Sequence, residues 1–127
     1  MKRLAIFAFG AIALCGCAAT PAPMAETGYP VGSLAFAAIE RGDWAAAERL
    51  LTADSGIAAD DPARLVNLGR VYMATGRTGE ALTAWRRALA APHPVEVETL
   101  GGRTAMTDQL ARQALDHYQR SLQTAAR

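Results

Sequence analysis

The chain is poor in the residues that usually carry chemistry. Its 127 residues include two cysteines, Cys15 and Cys17, two histidines and a single lysine, Lys2. Aromatic residues make up 6% of the sequence, and the formal net charge is +1. A near-neutral chain has no basic footprint for nucleic acid, where affinity rests on neutralising phosphates, and no acidic tail. GxGxxG, Walker, HExxH and GxSxG patterns are all missing. His93 stands between Pro92 and Pro94, and His117 stands beside Asp116, a solvated pair rather than a ligand or general base. Asp60 and Asp61 suit helix capping better than acid–base work. No catalytic residue, metal or cofactor is expected, and the chain does not read as an enzyme. Alanine inflates the hydrophobic share to 51%, a composition for closely packed helices rather than a β-sandwich.

What is present begins with an address. Lys2 and Arg3 precede an apolar run over 4–14, too short to span a bilayer as a helix, so 1–16 reads as a secretory signal peptide. Leu14-Cys15-Gly16-Cys17 resembles the bacterial lipobox. That resemblance implies cleavage after Gly16 and a thioether lipid on Cys17, with a further acyl chain such as palmitate. No cysteine would then remain for a disulfide or a metal. Two or three chains make an essentially permanent anchor. Ala18 follows the anchor where inner-membrane retention is associated with Asp, so the resemblance favours the periplasmic face of the outer membrane. Loss of Lys2 and Arg3 leaves 11 basic against 12 acidic residues, a formal charge of about −1. Residues 17–32, with their prolines and small residues, read as a lipidated cysteine and an extended tether.

Beyond the tether, residues 62–90 show two helical faces. Leu65, Leu68 and Tyr72 form one; Ala81, Leu82, Trp85, Ala88 and Leu89 form the other. Gly76 between them can end a helix in the left-handed conformation, and Thr78 can cap the next. Upstream, Gly42-Asp43-Trp44 divides two further helical stretches. Gly42 and Gly76, Ala47 and Ala81, Leu51 and Trp85, and Leu34 and Leu68 are each 34 residues apart. The first helix is expected to start near Ser33 as its N-cap, and Asp60 or Asp61 should cap the third, with Pro62 in its first turn.

The pattern Leu65, Leu68, Gly69, Tyr72, Gly76, Ala81, Trp85 and Ala88 resembles the tetratricopeptide repeat, whose period is about 34 residues. Gly69 and Ala81 are small where the helices of one hairpin touch; Tyr72 and Trp85 are large where neighbours must be filled in. The resemblance implies an all-α fold, a short helical-hairpin stack within 33–124, with repeats at about 28–61 and 62–95. The first is worn: Ala38 stands in the place of Tyr72, and Asp54 in that of Ala88. An insertion at 95–106 follows. Its Val95-Glu96-Val97-Glu98 alternation and Gly101-Gly102 suggest a hairpin, but two isolated strands are marginal in water, so a loop with extended character is expected. A last helix at 107–123, capped by Thr107 or Asp108, presents Leu110, Ala111, Ala114, Leu115, Tyr118 and Leu122 to cover Trp85 and Leu89.

In that family the first helix of each hairpin lines the concave groove. By position, the groove candidates are Phe36, Ile39, Val66, Asn67, Arg70 and Met73; Phe36, Ile39 and Met73 serve equally well as core. The basic clamp that some family members use for a terminal carboxylate is mostly missing, with Gly32, Phe36 and Val66 in its places. The resemblance implies a non-enzymatic, lipid-anchored adaptor that binds protein partners in the bacterial cell envelope, assisting pilus, secretion or outer-membrane assembly. The alternative is an accessory subunit of a periplasmic peptidoglycan-acting enzyme. Small-molecule substrates and nucleic acid are not expected as partners. Specific function is expected in the departures from the repeat: the first-repeat groove, the insertion and Cys17.

Overall fold

A computed structural model describes residues 28–127. The signal peptide, Cys17 and most of the expected tether lie outside the described residues. The element order is α1 (Phe36–Glu40), α2 (Trp44–Thr52), α3 (Pro62–Ala74), α4 (Thr78–Leu89), β1 (Glu96–Glu98), β2 (Thr104–Met106) and α5 (Thr107–Ala125). The architecture is the mostly helical stack expected, with one small two-stranded sheet added.

The two helical hairpins turn in the same way. In the first, Gly42 donates to the Ile39 carbonyl and Asp43 to the Ala38 carbonyl; in the second, Gly76 donates to Met73 and Arg77 to Tyr72. Each pair of bonds closes a Schellman motif around a left-handed glycine, Gly42 at φ 71° and Gly76 at φ 80°. The 34-residue spacing of these glycines is therefore a spacing of identical helix ends. The helices after the two turns start differently. Asp43 caps α2 by accepting from the Ala46 amide at 3.0 Å. Arg77 occupies the same place before α4 and has no side chain to cap with, and Thr78 is the first helical residue instead of the expected cap. The Arg77 guanidinium pairs with Glu80 on its own helix and reaches back to Glu48 on α2, with the Tyr72 ring beneath it at 4.2 Å. These hydrogen bonds hold Arg77 protonated and keep the Glu80 carboxyl below its usual range. The second turn thus ties the two hairpins together.

Asp61 caps α3, accepting from the amides of Ala63 at 2.9 Å and Arg64 at 3.0 Å, with Pro62 in the first turn. The start of α1 departs from expectation. Ser33 is not its cap; the helix begins at Phe36, after a left-handed Ala35 at φ 57°. Pro30 and Gly32 explain this. Their carbonyls accept from Ser33 and Ala35 in successive turns, and the second turn ends in the left-handed Ala35, a conformation no helix can include.

The core runs between the hairpins and under α5. The α3–α4 contact is the most extensive, followed by α4–α5. Leu65, Leu68, Val71, Ala81, Ala84, Trp85 and Ala88 are buried in the first, and Ala111 brings α5 into the same cluster. At Gly69 a Cβ would stand 2.5 Å from Trp85 Cδ1 and 2.7 Å from Cε2, so the indole fills the place of a side chain. Its Nε1–H donates to the Val66 carbonyl at 3.2 Å. The burial on α5 ends sooner than its apolar stripe: Tyr118 is only partly covered, and Leu122 is 53% exposed.

The insertion folds as an antiparallel hairpin rather than the expected loop, with Glu96 opposite Met106, Val97 opposite Ala105 and Glu98 opposite Thr104. It escapes the marginality of a lone hairpin because β2 runs directly into α5. Thr107, fully buried, closes the open end: its amide donates to the Val95 carbonyl at 3.0 Å, and its Oγ1 accepts from the Val95 amide at 3.1 Å. Thr107 therefore does not cap α5; no side chain does. Thr107→Val keeps the shape and leaves the Val95 amide unpaired, a loss of about 1–2 kcal/mol. Hydrogen exchange should speed up at Thr99 and Thr107 well before it does in α3.

Candidate functional site

The concave side of α1 and α3 is not an open groove. The hairpin stands across it and makes a cleft of about 160 Å³. One wall comes from Leu34, Phe36, Ile39, Ala63, Val66, Asn67 and Arg70; the facing wall comes from Val97, Glu98, Thr99 and Leu100, with Leu110 of α5 and Tyr29 at the margins. The floor is apolar, and the charges stand at Arg70 and Glu98, both exposed.

The structure brings Phe36, Ile39, Val66, Asn67 and Arg70 of the expected groove around this one space. Met73 is not among its lining residues; it packs against the core instead. Ile39 has both roles, since it lines the cleft and is 4% exposed. Asn67 is partly committed: its Nδ2 donates to the Leu34 carbonyl at 2.8 Å, which fastens the turn before α1 to α3. An amide used in this way positions the wall rather than waiting for a ligand. The remaining repeat residues are not cleft-lining: Leu65, Leu68, Gly69, Tyr72, Ala81, Trp85 and Ala88 sit in the hairpin packing, and Gly76 is exposed in the turn between α3 and α4.

Tyr29, Leu34, Ala63, Leu110 and the hairpin residues have no counterpart among the groove positions that the repeat pattern implies. Leu34 is visible in the sequence only as a repeat position. Tyr29 falls in the expected tether, yet its hydroxyl donates to the Asp61 carboxylate at 3.1 Å, and packing against the folded domain starts before residue 33. The hairpin wall depends on strands that the sequence alone does not secure. Val97 and Leu100 carry a hydrophobic signal within the insertion, but nothing in the sequence shows which face of the stack they cover.

Burial, reinforced by the Asp61 carboxylate, pushes the Tyr29 hydroxyl from 10.0 up to about 12. A group whose folded pKa is raised stabilises the fold below its unfolded pKa and loses that contribution as the pH climbs through the folded value. A phenolate absorbance titration should therefore contain a component near pH 12 that Tyr29→Phe removes. The domain should lose stability between about pH 10 and 12, and Tyr29→Phe should flatten that alkaline slope.

Among the described residues, no group of three or more His, Cys, Asp or Glu side chains is placed to hold a metal, and no helix is long and apolar enough to cross a membrane. The cleft offers apolar contact and two charges, which is the equipment of a binding site.

Compared with known families, the chain matches the family model described as Tetratricopeptide repeat over residues 30–51 and 62–87. Those two stretches are α1 with most of α2, and α3 with nearly all of α4. No curated protein and no solved structure matches the chain.

Proposed function

From a chain built on two tetratricopeptide repeats, a fold that serves protein–protein interaction, we infer a non-enzymatic adaptor of the bacterial cell envelope, held to the membrane by lipid on Cys17. The partner is a protein segment, and its binding face is the cleft between α3 and the β hairpin. One observation carries this reading: five of the six groove positions expected of the repeats converge on a single partly enclosed, apolar space rimmed by Arg70 and Glu98. Anchoring concentrates such a site near membrane-bound partners without any additional contact. The lipobox-like Leu14-Cys15-Gly16-Cys17 supports the anchor, and Ala18 supports the outer membrane's periplasmic face over the inner membrane. A role in assembling pilus, secretion or outer-membrane machinery fits an anchored adaptor with one small site.

Two measurements test it. Intact-mass analysis of protein from the membrane fraction should find the chain starting at Cys17 with added acyl mass, and Cys17→Ser should leave it unlipidated. An unmodified Cys17 in the mature chain would remove the anchor. Anchored wild-type protein used as bait should recover an envelope protein that Arg70→Glu recovers poorly; equal recovery would remove the cleft from the partner interface.

A further inference from the structure

The shape of the cleft limits what can enter it. An open repeat groove takes a length of chain, but here the hairpin divides the concave face and leaves about 160 Å³. That is close to the roughly 150 Å³ apolar cavity that holds one benzene ring. The space is lined by Phe36, Ile39, Val66 and Leu110 on the helices and by Val97 and Leu100 on the hairpin, so it suits one planar apolar group. At its edges Arg70 and Glu98 are exposed, and neither joins an ion pair among the described residues. A ligand seated between them meets a cation from α3 and an anion from β1.

The hairpin also offers backbone. Val95 bonds to Thr107 and Thr99 bonds to Arg103 across it. In an antiparallel pair such bonded positions alternate, so Val97 also turns its backbone inward toward Ala105. The amide and carbonyl of Glu98 are then left on the outer edge of β1, which has no further strand beside it among the described residues. A segment entering beside Glu98 can be extended and pair with that edge.

We propose that the cleft receives one aromatic side chain of a partner's extended segment, adjacent to an acidic residue whose carboxylate meets Arg70. This rests on the adaptor reading and gives it a ligand: the hairpin converts a general groove into a pocket for a single ring. Specificity comes from the insertion as much as from the repeats.

Fluorescence polarisation with labelled, end-capped heptapeptides Gly-Ser-Asp-Phe-Ser-Gly-Gly and the detergent-solubilised full chain tests it. Replacing Phe by Ala in the peptide should weaken binding by at least about tenfold, the worth of burying an aromatic side chain. Replacing Asp by Lys should weaken it by about threefold, the scale of an exposed ion pair. Arg70→Glu in the protein should reverse the Asp-over-Lys preference. Leu100→Ser should weaken the Phe peptide and leave the Ala peptide unchanged. Arg70 is exposed and Leu100 is 37% exposed, so unchanged thermal melting of both variants separates lost binding from lost folding. Equal affinity for the Phe and Ala peptides, a charge preference that ignores Arg70→Glu, or no binding of any peptide overturns the proposal. If peptides fail while anchored bait still recovers a partner sensitive to Arg70→Glu, the ring pocket is wrong and the adaptor stands. If the Phe peptide binds as described while bait recovers nothing, the pocket stands and the adaptor falls.

Discussion

Gly69→Ala should be among the most damaging single-methyl changes available in this protein. The added Cβ would press on the indole of Trp85, 2.5 Å from Cδ1, 2.7 Å from Cε2 and nearer still to Nε1. Trp85 is 6% exposed and has little room to retreat. Any shift large enough to relieve the overlap breaks its bond to the Val66 carbonyl and opens the α3–α4 packing. Overpacking of this kind costs about 3 kcal/mol, a large share of the stability of a small domain, and should lower Tm by about 15 °C. Gly79 is the matched control. It is the second residue of α4, and a Cβ there meets nothing within 4 Å, so Gly79→Ala should stabilise slightly, by less than the roughly 0.5–1 kcal/mol of a mid-helix glycine. Opposite signs for one substitution at two helical glycines, read by thermal melting, would show that close approach at Gly69 is responsible; equal shifts would refute it.

Ala111→Asp should be as severe for a different reason. Ala111 is fully buried and joins α5 to the hydrophobic core, where α5 packs on α4 and α3. A carboxylate there has no partner and must either stay charged in an apolar site or take up a proton, and an uncompensated buried charge costs about 3–5 kcal/mol. If α5 is integral to the fold, both hairpins should melt earlier in one transition, because two repeats cannot cover their own apolar faces. Loss of α5 helicity alone, with the hairpins melting as in the wild type, would contradict that. Tyr118→Asp, at a partly exposed position, should cost much less. The apolar stripe of α5 suggests equal importance for Leu110, Ala111, Tyr118 and Leu122; burial concentrates it near the N-terminal half.

The helical core is legible in the sequence because each signal in it is local or periodic. Gly42 and Gly76 end helices for a reason internal to their own turns, and Asp61 with Pro62 starts one. That Gly69 and Trp85 are repeat positions is legible from the pattern; that the indole lies on Gly69 within its own hairpin, rather than filling the space toward a neighbour, is not. The misses have a common cause in contacts between distant segments. Ala35 is left-handed at the end of two successive turns that begin at Pro30 and Gly32, and alanine gives no hint of that. The hairpin at 96–106 lacks strength by itself and forms on the start of α5, through Thr107. Tyr29 resembles tether because its partner, Asp61, lies 32 residues away. The candidate site inherits this division. Phe36, Ile39, Val66, Asn67 and Arg70 of its helical wall can be named from the repeat pattern; Leu34, Ala63, the hairpin wall and the resulting size cannot.

Site-specific photo-crosslinking in cells tests most directly whether the hairpin-walled cleft is where a partner binds. A photoreactive residue in place of Leu100, in the cleft wall, is compared with one in place of Arg49, exposed on α2 and outside the cleft. An adduct to one envelope protein from position 100, diminished by Arg70→Glu and missing from position 49, is the predicted result. An adduct from position 49 with none from position 100, or a position-100 adduct that Arg70→Glu leaves unchanged, would contradict it.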